Sequence, residues 1–256
     1  MRPYDATDRD RWIRQLRGGQ GRLLICFPHA GGSATAYRTF AQVVTGDVEV
    51  VGVQYPGRQD RRTEPPPSSV TALADDVAAV LNGWLDRPYA LFGHSMGATL
   101  AYEVACRLEG AGDAPVRLFV SGRRAPSWRR DLEGRVHLST DAELVAELRA
   151  LGGTDTAFLD DEELLAMVLP VTRADYRAVE TYRWQPVPPL RCPITALLGA
   201  DDPRVRREQV AAWTVHTMAG FELHVFPGGH FYLADNGAAA ARVVSRSTLS
   251  ATVNSV

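Results

Sequence analysis

Lysine is missing from this chain of 256 residues, so all 28 of its basic side chains are arginine, set against 30 acidic ones. A GC-rich coding sequence accounts for that choice, and the net charge of -2 leaves no electrostatic footprint for nucleic acid. Cysteine is scarce. Cys26, Cys106 and Cys192 are odd in number, lack metal-ligand spacing and fall in apolar segments, which argues for buried thiols in a reducing compartment. No apolar run approaches membrane-spanning length, and residues 1–19 are charged where a signal peptide needs an apolar stretch. The expectation is a cytoplasmic protein that contacts neither membrane nor nucleic acid. Internal repeats are also absent.

What is present is an ordinary globular balance, 45% hydrophobic and 23% charged, at a length that suits one large α/β domain over 1–256. Short apolar runs at 23–27, 48–54, 89–93, 116–121, 194–199 and 221–226 alternate with amphipathic segments. That alternation predicts an α/β protein with a mostly parallel central sheet and helices on both faces. Val70, Leu73, Val77, Val80, Leu81 and Trp84 recur at helical spacing, and 96–108 reads as a second helix. From about 123 to 190 the alternation stops. Two helices are expected there, one capped by Thr140 with Glu143 and one by Asp160 with Glu163. This stretch reads as a helical lid insertion, with Phe158, Leu159 and Met167 as candidate lining for a chamber and Leu164, Leu165, Val168 and Leu169 as packing residues.

Gly93-His94-Ser95-Met96-Gly97 matches the G-x-S-x-G pattern directly after a strand and directly before a helix. Only glycine tolerates the close approaches of such a turn, which holds the serine exposed as a nucleophile. A serine needs a base and an acid that orients it. In this kind of fold the base follows the last strand, which sets aside His29, His94 and His137. His216 falls in a helical pattern and His224 inside a strand, leaving His230 in Pro227-Gly228-Gly229-His230-Phe231. The acid belongs after the strand at 194–199, where Asp201 and Asp202 are adjacent. The usual place, three residues past the closing glycine, points to Asp202, with Asp201 as the alternative. For the oxyanion hole the expected donors are the backbone N–H groups of Met96 and of Ala30, the latter in Phe27-Pro28-His29-Ala30-Gly31-Gly32-Ser33. No metal or organic cofactor is called for.

Five segments together resemble the type II thioesterases of polyketide and nonribosomal peptide synthases, members of the α/β-hydrolase fold. They are Pro28-His29-Ala30-Gly31-Gly32-Ser33, Gln54-Tyr55-Pro56-Gly57-Arg58, Gly93-His94-Ser95-Met96-Gly97, Ser121-Gly122-Arg123-Arg124-Ala125-Pro126 and Pro227-Gly228-Gly229-His230-Phe231. The resemblance implies Ser95, Asp202 and His230 as catalytic residues, and hydrolysis of acyl groups from the phosphopantetheine arm of acyl or peptidyl carrier proteins, clearing stalled or misprimed chains. It leaves a carboxylesterase or lipase, an acyltransferase, and a non-catalytic carrier-binding module as the competing readings. Because Arg58, Arg61, Arg62, Arg123, Arg124, Arg129, Arg130, Arg204, Arg206 and Arg207 all follow strand ends, an arginine-lined entrance for an acidic carrier protein is a further expectation.

Overall fold

Each predicted strand forms, and the side chains of each divide between two cores. The computed structural model describes residues 6–128, 135–153 and 159–250. Strands β1 (Ile13–Arg17), β2 (Arg22–Phe27), β3 (Val48–Val53), β4 (Tyr89–His94), β5 (Arg117–Ser121), β6 (Ile194–Gly199) and β7 (Phe221–Phe226) make one sheet in the order β1-β3-β2-β4-β5-β6-β7. All neighbours are parallel except β1 against β3. Because strand side chains alternate faces, Leu23, Ile25 and Phe27 join one core and Leu24 and Cys26 the other. The first core is closed by α3 (Val70–Leu81) and α4 (Met96–Gly110), the second by α2 (Arg38–Val43) and α8 (Leu233–Ser250). Both faces are therefore covered, which is why these strands read as apolar runs rather than as alternation.

β1 was not foreseen. Its pattern of half-buried residues, Ile-Arg-Gln-Leu-Arg, is that of an edge strand, and it follows the short helix α1 (Ala6–Trp12) with a register shift between Gln15 and Arg17. After β5 come α5 (Asp141–Leu151) and α6 (Glu162–Thr181) before β6, and α7 (Arg207–Ala211) lies between β6 and β7. Thr140 caps α5 in a full capping box, as its sequence predicts. The second cap is off by one: the Asp161 carboxylate, not that of Asp160, accepts from the N–H groups of Glu163 and Leu164, while Asp160 pairs with Arg149.

The order β3-β2-β4 places a topological switch at the carboxyl ends of β2 and β4, where open α/β sheets form their ligand crevice. The arginine-lined entrance fails in part at this edge. Arg58 and Arg61 are only 5% and 4% exposed. The Arg61 guanidinium stacks 4.0 Å from the Trp12 ring centroid, binds Glu64 through Nε and Nη2 and donates from Nη1 to the Gln54 carbonyl at 2.8 Å. It is a structural anchor for the loop after β3. Arg62 is exposed, and Arg129 and Arg130 lie outside the described residues. Arg61→Glu should therefore cost about 3 kcal/mol of stability by leaving buried charge unpaired, whereas Arg62→Glu should leave the denaturation midpoint unchanged. Equal shifts for both variants in a urea titration would contradict this division.

Candidate active site

At the end of β4 the chain turns into α4 through Ser95, which has φ 53° and ψ -119°, a left-handed conformation that costs a non-glycine residue about 1–3 kcal/mol. Crowding on both sides enforces the turn. A Cβ on Gly93 would lie 2.1 Å from the Gly97 carbonyl oxygen, and one on Gly97 only 1.9 Å from that of Phe27. The Ser95 N–H donates to the Ser121 carbonyl at 2.9 Å, so β5 holds the turn from the side. The serine hydroxyl is left facing a cavity.

His230 arrives from the loop after β7. That loop is tied to the loop after β6, since the N–H groups of Ala200 and Asp201 donate to the Phe226 and Gly228 carbonyls at 2.8 and 2.9 Å. A side chain at Gly199 would collide with the Gly229 carbonyl at 2.1 Å. The closure brings His230 Nδ1 to 2.8 Å from Asp202 Oδ2, with both side chains buried. The other Asp202 oxygen accepts from the Arg204 N–H at 2.8 Å. Asp201 is exposed and makes no such contact. Of the two adjacent aspartates, the geometry pairs Asp202 with the imidazole.

Ser95, His230, Ala30 and Met96 line one recess beside Gly122 and Tyr176. Neither the Ala30 nor the Met96 N–H has a hydrogen-bond partner among the described residues, so both are available to a ligand oxygen. Ser95 Oγ and His230 Nε2 make no hydrogen bond either; contacts of this kind are often long before a substrate is bound. Ser95 also lines a cavity of about 320 Å³ together with Leu148, Leu151, Leu159, Val168, Phe231 and His29. The expected chamber residues are thus only partly right. Leu159 lines the cavity, Met167 is 63% exposed, and Phe158 lies outside the described residues. Val168, expected to pack, lines it instead. Arg123 and Arg124 line both the Ser95 recess and a groove of about 580 Å³ that is also lined by Trp128, Arg183 and Trp184.

Two histidines set aside from the base role form the wall around it. His94 donates or accepts at 2.9 Å with Ser121 Oγ, which in turn meets Tyr232 Oη at 2.7 Å, and its ring lies 5.0 Å from that of His230. Burial, reinforced by His230, lowers His94 well below the ordinary imidazole range and takes His29 down to about 4. Both are neutral at neutral pH, so neither adds positive charge that would oppose proton uptake by His230.

The residue that sequence reading missed is Asp175. It is fully buried on α6, where its Oδ2 accepts from the Gly31 N–H at 2.8 Å and from Arg58 Nη2 at 2.5 Å. The signal was there: an acid sits on the buried stripe of Val171, Thr172, Ala178 and Val179. Burial pushes its carboxyl up despite Arg58 and the Gly31 N–H. Among the described residues no cluster of His, Cys, Asp and Glu is arranged to hold a metal, and no helix is long and apolar enough to cross a membrane.

Comparison with known proteins fits this geometry. The family profile described as "Thioesterase domain" matches residues 22–248. The chain is 47% identical over 238 residues to thioesterase PikA5 of Streptomyces venezuelae, covering 91% of this chain and 84% of that one. It is 46% identical over 228 residues to a probable cadicidin biosynthesis thioesterase of Streptomyces griseus, covering 88% of this chain but only 63% of that relative's length. Among solved structures it superposes on the type II thioesterase BorB from the borrelidin biosynthetic cluster with a TM-score of 0.87 and 51% identity, covering 93% and 98% of the two chains.

The acid assignment has a direct check. Asp202→Asn should lower kcat by roughly 10⁴, because an amide fixes the wrong imidazole tautomer, while Asp201→Asn should leave it near the wild-type value. Steady-state kinetics on one acyl thioester reads both, and the reverse ranking would contradict the pairing.

Proposed function

The chain belongs to the thioesterase family, among the type II thioesterases of polyketide and nonribosomal peptide synthases, and from that premise we propose how its residues divide the work. Ser95 Oγ attacks the thioester carbonyl as His230 Nε2 takes its proton. Asp202 holds the Nδ1–H of the imidazole and stabilises the imidazolium that forms. The carbonyl oxygen, now negative, is received by the N–H groups of Ala30 and Met96. Collapse of the tetrahedral species expels the thiol side. With an ordinary thiol pKa of about 8.5, this group leaves more readily than an alkoxide would. Water then attacks the acyl-serine, with His230 as base, and the acid is released. The reaction as written needs no cofactor.

The observation that carries this reading is the buried His230–Asp202 pair meeting the strained Ser95 at one recess with two unpartnered amides. The two spaces beside it differ in character, which gives the substrate a direction. The leucine-walled cavity suits the acyl chain. The groove with Arg123, Arg124 and Arg183 suits the thiol side, since guanidinium groups bind phosphate in a forked geometry and attract an acidic carrier domain. Arg123 is already held in place by Thr99 Oγ1 at 2.9 Å. In this reading the α5–α6 insertion roofs the acyl cavity as a lid, and the enzyme clears acyl groups from carrier-bound phosphopantetheine.

Ser95→Ala should abolish hydrolysis while keeping the thermal midpoint, because it removes a hydroxyl exposed to a cavity rather than core volume. Wild-type protein should prefer an acyl thioester over the oxygen ester of the same acyl group. Comparable kcat/KM on the two esters would favour a general carboxylesterase, and retained turnover in Ser95→Ala would remove Ser95 as nucleophile.

A further inference from the structure

The segment Gln54-Tyr55-Pro56-Gly57-Arg58 has no part in the chemistry above, yet three of its side chains hold the loop that carries Ala30. Gln54 Oε1 accepts from the Ala34 N–H at 2.9 Å, at the far end of the loop. Tyr55 Oη donates to the Pro28 carbonyl at 3.1 Å, at the near end. Arg58 lies 5.0 Å from the Tyr55 ring centroid and clamps Asp175, whose carboxylate takes the Gly31 N–H at 2.8 Å. The loop itself closes by the Gly32 N–H donating to the His29 carbonyl at 2.9 Å, with Gly31 at φ 75°, the positive value a type II turn requires at its third residue. Asp175 grips the N–H of the central peptide of this turn, Ala30–Gly31, directly after the residue whose own N–H faces the Ser95 recess. Helix α6 also packs directly on the turn, since a Cβ on Gly31 would lie 2.6 Å from Thr172 Oγ1.

We propose that Asp175, neutralised by Arg58, is a positioning residue for the oxyanion hole: it anchors the His29–Gly32 turn at Gly31 so that the adjacent Ala30 N–H stays fixed at the Ser95 recess. The insertion is then part of the catalytic geometry, because α6 supplies the carboxylate. Arg58 is needed for a second reason. An unpaired carboxylate one peptide from the oxyanion site would repel the charge that develops there, and the guanidinium cancels it. The proposal rests on the reading of Ser95 as an acyl-transfer nucleophile, and its test separates the two.

The test uses a small acyl thioester of N-acetylcysteamine, with active sites counted by fluorophosphonate labelling. Asp175→Ala should lower kcat about 100-fold, the scale of losing an oxyanion donor, with KM within about threefold because ground-state binding is not addressed. Asp175→Asn keeps an acceptor for the Gly31 N–H and should recover about tenfold of that loss, while Arg58→Met, which leaves the carboxylate unpaired, should again lose kcat rather than KM. If Asp175→Ala does not fold, the Asn and Met variants decide by the same split. Unchanged kcat per labelled site in the folded variants, with only a lower thermal midpoint, would make the pair merely structural and overturn the proposal. A wild-type chain inert toward the thioester, or a Ser95→Ala chain as active as wild type, would overturn the underlying reading and the proposal with it.

Discussion

How near α4 comes to the end of β2 governs the rest of the site. At Gly97 the helix backbone approaches the Phe27 carbonyl so closely that no side chain fits between them. That approach puts the first turn of α4, with the Met96 N–H, against the loop that leaves β2 with the Ala30 N–H, so both donors face one recess. It also leaves Ser95 in a left-handed conformation, a strain of about 1–3 kcal/mol that the flanking sheet and helix offset. Gly93 and Gly97 are therefore steric requirements of the elbow, and the exposure of the Ser95 hydroxyl follows from them.

Around this elbow the molecule tolerates polar burial that serves stability poorly. The Arg58–Asp175 pair is 4% and 0% exposed, and Asp175 Oδ1 with Arg58 Nε and Nη1 have no hydrogen-bond partner among the described residues. A buried pair so incompletely satisfied seldom repays its desolvation, and the raised Asp175 carboxyl has burial as its largest cause. His94 is similar: its Nε2 is buried without a partner among the described residues and its imidazole is held neutral. At Arg58, Asp175 and His94, which lie beside the Ser95 recess, orientation matters more than net stability.

The strands and the Ser95 elbow were legible because their causes are local. Apolar runs bounded by turn residues, and a serine between two glycines, carry their meaning in a few consecutive positions. His230 and Asp202 were reachable through chain order, and Asp202 was separated from Asp201 by a spacing habit whose physical basis is the tie between the two loops at Gly199 and Gly229. Apart from the one-residue slip at the second helix cap, the failures are long-range. Arg58 and Arg61 follow a strand end and read as exposed charge, yet Trp12, Glu64 and Asp175 bury them, and only Glu64 lies close in sequence. Asp175 lies 144 residues from the amide it holds. β1 carries too little burial to announce itself, and the exposed side of α6 took Met167 out of the cavity while Val168 turned inward.

The central claim is a covalent acyl group on Ser95, held at the recess where Ala30, Met96 and the His230–Asp202 pair meet. Rapid-quench mass spectrometry of the intact protein during turnover of an acyl thioester, followed by peptide mapping, observes that species itself. The account predicts a transient mass increase of one acyl group within the first turnover, mapped to the peptide containing Ser95 and decaying as free acid appears. No adduct at any time during turnover would contradict it. So would an adduct on another hydroxyl, such as Ser127, whose Oγ lies 2.8 Å from His216 Nε2.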